Sequence, residues 1–126
     1  MAVLFHNQTG ATIWVMFARN HPPCGGPPEQ WWLKKGWYQV PPGSTVNVWD
    51  VRAGGQKIFY FAEDQAGNTW GNDTQEQNFF TQVPWQPFEW CWNTGSTASR
   101  TVGFRKKVVE DDFPPSVMDY TVNLIP

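Results

Sequence analysis

Eleven prolines and eleven glycines divide this chain of 126 residues into short segments, and that punctuation governs what it can fold into. Proline removes a backbone donor and fixes φ, so each one bars a helix interior or a central strand. Nowhere do apolar residues recur at the i, i+3, i+4, i+7 spacing over a helix-length window. Between the breakers run β-branched and aromatic residues bounded by turn residues, the pattern of strands. The chain reads as all-β.

Strands are predicted at residues 2–6, 11–19, 31–40, 45–51, 56–62, 68–70, 78–83, 88–93, 101–109 and 118–124. In the second, Ile13, Val15 and Phe17 share one face and Trp14 and Met16 the other. A strand apolar on both sides belongs in the middle of a sheet. The stretch 20–30 holds Pro22, Pro23, Pro27, Pro28 and the Gly25-Gly26 pair, and is predicted to be a loop. Eight to ten short antiparallel strands at this spacing predict one domain over residues 1–126, a two-sheet β-sandwich with a small β-barrel as the alternative. No repeat of fixed period is present, which argues against a propeller or solenoid.

Composition narrows the function. Apolar residues make up 40% of the chain, enough for a core, and the net charge of −2 argues against a nucleic-acid partner. No apolar run reaches the roughly 18–20 residues of a membrane-spanning helix. Residues 1–6 carry neither a basic start nor a long apolar run, so a soluble, cytoplasmic protein is expected, with release without a classical signal as the alternative. In that setting Cys24 and Cys91 would be thiols, although a single bridge between them stays open.

Catalytic signatures are missing, and a non-enzyme without a cofactor is expected. There is no G-x-S-x-G elbow, no H-E-x-x-H helix and no phosphate-binding glycine loop. Ser44, Ser96, Ser99 and Ser116 fall in or beside predicted turns. His6, His21, Cys24 and Cys91 lack the paired close spacings of a zinc site. Glu63-Asp64, Asp73 with Glu76, and Glu89 are the carboxylates from which a calcium site or a glycosidase pair would be drawn, and turn solubility is the simpler role. Arg100, Arg105, Lys106 and Lys107 split between two faces of a strand and read as protection of a sheet edge.

The informative surplus is aromatic: nine Trp, nine Phe and three Tyr. Phe88, Trp90 and Trp92 alternate onto one face, Trp85 stands in the preceding loop, and one of the adjacent Trp31 and Trp32 must point away from the core. A sandwich of this size does not hide nine indoles completely, and exposed indoles stack on sugar rings, settle at lipid headgroups or anchor a protein. The leading expectation is a lectin-like module binding a glycan or other small polar ligand. Trp85, Trp90, Trp92, Trp31 and Trp32 would stack, and Asn72, Asp73, Glu89 and Asn93 would hold hydroxyls. A membrane-surface or pore-forming sandwich is the alternative, and a protein-interaction domain, including a homo-oligomer, is the second alternative.

Gly36-Trp37-Tyr38-Gln39-Val40-Pro41-Pro42-Gly43, then Ile58-Phe59-Tyr60-Phe61-Ala62-Glu63-Asp64, then Trp70-Gly71, resemble a bacterial family of small domains of unknown function. Its members read G-W-W-x-[IV]-x-P-G, Y-x-Y-A-E-D and W-x-G. The opening His6-Asn7-Gln8-Thr9-Gly10 and the strand Ile13-Trp14-Val15 look like that family's first hairpin. The resemblance implies an all-β fold. It carries over no catalytic residue, since the family has no agreed activity.

Overall fold

Register places β2 (Ile13–Asn20) between β3 (Trp32–Val40) and β5 (Lys57–Asp64), paired along both edges, and each of its apolar faces packs into a core. The structure is a computed structural model that describes residues 2–27, 31–51, 53–72, 79–96, 98–109 and 119–126. Asp73, Glu76, Ser116 and the acidic run at 110–112 lie outside the described residues. The remaining strands are β1 (Ala2–Asn7), β4 (Thr45–Trp49), β6 (Thr69–Trp70), β7 (Phe79–Pro84), β8 (Phe88–Cys91), β9 (Ser99–Val108) and β10 (Asp119–Leu124). The loop after β2 contains a single 3₁₀ turn, Pro22–Cys24.

Two sheets form. The larger runs β7-β9-β5-β2-β3-β8 with β6 added to β5, and the smaller runs β10-β1-β4. The larger curls into a nearly closed barrel, so sandwich and barrel are both present in one fold. Pairing is antiparallel except between β1 and β10, which run parallel, a departure from the all-antiparallel expectation. The chain reaches β10 only after traversing the larger sheet, so no hairpin dictates the direction of the last strand.

The two faces of the larger sheet carry separate cores. On one, Ile13, Val15 and Phe17 of β2 and Ile58 of β5 meet Val3 and Phe5 of β1 and Val122 and Leu124 of β10. On the other, Met16, Phe59, Phe61, Val83, Phe88, Val102 and Phe104 fill the barrel, with Trp32, Trp37, Trp90 and Trp92 packed round them. Several ring contacts are edge-on, as aromatic quadrupoles prefer: Trp32 meets Phe59 at 4.8 Å and Trp92 meets Phe104 at 5.5 Å. Two glycines make this closeness feasible. A Cβ on Gly36 would lie 2.6 Å from Met16 Cγ, and one on Gly71, at φ +135°, would lie 2.5 Å from both Gly103 O and Phe61 Cδ1.

Closure depends on Lys34, which is wholly buried. Its ammonium donates to Thr81 Oγ1 (2.8 Å) and Gln82 O (2.5 Å) on β7, and to Trp92 O and Thr94 O (both 2.7 Å) beyond β8. It thereby joins the two ends of the curled sheet. Burial pushes its pKa down to about 8, while the four oxygens favour the charged form at neutral pH.

A disulfide joins Cys24 to Cys91, whose Cα atoms are 5.7 Å apart. The expected thiols are therefore a bridge that clamps the proline-rich loop to the end of β8, and neither sulfur is left to ligate zinc. The basic stretch lies on β9. Residues 99–104 of β9 pair with β7 and residues 105–108 with β5, so β9 bridges two strands in succession, and the basic run, with Lys106 over Phe79 and Lys107 over Tyr120, has β5 as its one neighbour among the described residues. Among the described residues no helix is long and apolar enough to cross a membrane.

Replacing Lys34 with Met should destabilise the fold by about 3 kcal/mol or more, because buried carbonyls lose their donor; urea denaturation measures it. The native pKa lies below the unfolded 10.5, so Lys34's contribution to stability should rise between about pH 8 and 10.5 and stay flat below pH 8. Reducing the bridge, which spans 67 residues, should cost about 4 kcal/mol on the loop-entropy estimate and lower the melting temperature.

Candidate ligand-binding cleft

Cross-strand register sets three polar-tipped side chains in a row at one mouth of the barrel. Trp14 on β2 lies directly opposite Gln39 on β3 and Glu63 on β5, and opposed residues share a sheet face. Trp37, two residues before Gln39, joins them; its indole N–H donates to Pro84 O at 3.1 Å. From the other side come Arg100 of β9 and the loop at 85–87 that connects β7 to β8. Together they enclose a cleft of about 560 Å³, with Asp64 and Gln65 on its rim.

Arg100 is the centre of this arrangement. Its guanidinium grips the Glu63 carboxylate with both terminal nitrogens, Nη1 to Oε2 at 3.0 Å and Nη2 to Oε1. The guanidinium carbon sits 4.2 Å from the Trp85 ring centre and 5.3 Å from that of Trp37. A cation lying over indole rings while holding a carboxylate through both terminal nitrogens is a use that lysine does not fill. Both partners are about a quarter exposed, so the pair is open to the cleft. Arg100 Nε is buried and lacks a hydrogen-bond partner among the described residues.

Asp64 does a different job. Its oxygens accept from the Asn68 side chain (2.9 Å) and from the backbone N–H groups of Asn68 and Ala66 (2.9 and 3.0 Å). These bonds, the Asn68 amide first, hold its carboxyl below the usual range. It caps the turn between β5 and β6. Glu63 and Asp64 thus point to different tasks, as neighbours on a strand must.

Of the residues singled out from sequence, Trp85 lines the cleft, and it is 66% exposed. Trp32, Trp90 and Trp92 turn inward against the barrel core, so the alternating face at 88–92 is a packing face. Trp31 lies over the proline-rich loop, its N–H donating to Gly26 O at 2.9 Å. Asn72 clips β9: its Oδ1 accepts from Gly103 N at 2.6 Å. Glu89 is exposed on β8 opposite Lys35, and Asn93 is exposed in the turn that follows. Neither lies at the cleft. The ligand set drawn from sequence omits Trp14, Trp37, Gln39 and Arg100, while Glu63 and Asp64 are named there only as carboxylates for a calcium site or a glycosidase pair. Parity sets Trp14 with Met16 on one face of a strand that is apolar on both sides, but its alignment with Gln39 and Glu63 follows from strand order.

A larger hollow, about 640 Å³, lies beyond the Asp64 turn between Thr9, Asn68, Thr69 and Trp70. Its one indole, Trp70, is buried and donates its N–H to Ile125 O, so it offers no aromatic platform. Among the described residues no group of three or more His, Cys, Asp or Glu side chains is placed to hold a metal ion.

Trp85→Ala should lower the melting temperature by only about 4 °C, losing about 1 kcal/mol of cation–π contact. Trp90→Ala, which opens a void beside Phe88, should destabilise the fold by about 2–3 kcal/mol. Thermal unfolding of the two variants side by side checks the division between cleft and core. Comparison of the chain with protein-family models, with curated proteins and with solved structures finds no match.

Proposed function

We propose that this protein is a non-catalytic carbohydrate-recognition module whose ligand sits in the cleft between Trp14, Trp85 and the Glu63–Arg100 pair. One observation carries the reading: exposed indole surface and a solvent-open ion pair share one concave mouth with two carboxamides, Gln39 and Gln65. Aromatic faces take the C–H side of a sugar ring, and a few fixed polar groups orient its hydroxyls. Trp85 contributes an exposed ring held from below by Arg100, so little ordering is required when a ligand arrives. The two carboxylates at hand support recognition over hydrolysis, since Glu63 is held by Arg100 and Asp64 by its own turn. The disulfide favours a protein that works in an oxidising setting, outside a reducing cytoplasm.

A broad glycan array with plain lipid spots as control tests this. Binding to a coherent set of glycans is expected from the native protein. Trp85→Ala and Trp14→Ala should each weaken it by about tenfold or more, on the scale of one lost stacking contact. Binding to lipid alone would instead favour the membrane-surface reading, with Phe80 and Trp85 as the exposed apolar contacts. Silence on both would turn attention to protein partners.

A further inference from the structure

The chemistry of the cleft distinguishes one class of sugar from another. Arg100 carries five N–H donors. Nη1 and Nη2 each donate to Glu63, and the other Nη hydrogens have no acceptor among the described residues. Glu63 in turn accepts from Arg100 alone among the described residues, leaving lone pairs unclaimed. The pair therefore presents donors and acceptors side by side at a partly exposed position. Its charge is already balanced internally. Asp64 on the rim is ionised, so the titratable side chains lining the cleft sum to a negative charge.

We propose that the cleft selects neutral glycans through adjacent hydroxyls that bridge Arg100 and Glu63, and that it rejects glycans bearing a carboxylate there. The inference rests on the carbohydrate reading above. A hydroxyl accepts and donates at once, so one hydroxyl of a vicinal pair accepts from Arg100 while its neighbour donates to Glu63. The ion pair stays intact, and the ring lies against indole. An acidic sugar meets a different situation. Its carboxylate must take Arg100 from Glu63, and success strands a partly buried carboxylate beside Asp64 without its cation. Leaving a partly buried carboxylate without its cation is the expensive outcome.

The test compares neutral oligosaccharides with matched ones carrying a uronic or sialic acid, by calorimetric titration of the native protein, Glu63→Gln, Arg100→Lys and Trp85→Ala. The native protein should bind the neutral set and bind its acidic counterparts at least about tenfold more weakly, the scale of one charge-assisted hydrogen bond. Trp85→Ala should weaken the neutral set and thereby place it in this cleft. Arg100→Lys keeps the charge but not the fork, and should also weaken the neutral set. Glu63→Gln should lose neutral binding and gain acidic binding, because Arg100 is then free to take a ligand carboxylate. The comparison made on the native protein decides the proposal whether or not a variant folds. Equal or tighter binding of acidic glycans by the native protein overturns the selectivity while leaving carbohydrate recognition in place. Absence of binding to either set removes both.

Discussion

Lys34 is the point on which closure of the barrel depends. A curled sheet has two free ends, and here β7 and β8 are tied by one ammonium that serves four oxygens. Thr81 reinforces the tie, donating its hydroxyl to Trp92 O at 2.7 Å. No carboxylate pairs with Lys34 among the described residues, so its charge is balanced by carbonyl dipoles and by the Trp90 ring, 5.6 Å from Nζ. The lowered pKa records the desolvation that this position entails. Because the oxygens come from both ends, the ammonium holds a particular register rather than merely filling space.

The aromatic surplus follows from the same closure. A six-stranded path wrapped on itself leaves a tapering interior, and broad rings fill it: Phe59 alone contacts Trp32, Phe79 and Trp92. Most indoles are therefore structural. The cleft arises where this packing stops, at the mouth, where Trp37 still packs on the core and Trp85 no longer does. Arg100 marks that transition, stacked on both rings and paired with Glu63. The cation fills space that an apolar side chain would occupy deeper in, and it brings charge to a partly exposed mouth.

The strands themselves were legible from sequence to within a few residues. Alternation and punctuation are local signals, and the ten strands of the described residues fall on the segments predicted from them. The two-faced burial of β2 was legible for the same reason: Ile13, Val15 and Phe17 divide from Met16 by parity alone. Parity says which residues share a face and nothing about what that face meets. Trp90 and Trp92 were correctly placed together, yet their face turns inward. The parallel pairing of β1 and β10, the bridge from Cys24 to Cys91 and the reach of Lys34 to Thr94 all join distant segments, and no local pattern encodes them.

What the amino-acid sequence determined by itself is thus the all-β class, the positions of the strands and the excess of rings over what a surface would carry. Each depends on interactions within a few residues: steric preference, alternation and the backbone limits of proline and glycine. Tertiary structure decided which rings face solvent, which cysteines meet and which charges pair. The cleft assembles Trp14, Trp37, Glu63, Trp85 and Arg100 from four strands and a loop. Their convergence depends on strand order and on the curl of the sheet, which are properties of the whole fold's packing and hydrogen bonding rather than of any one segment.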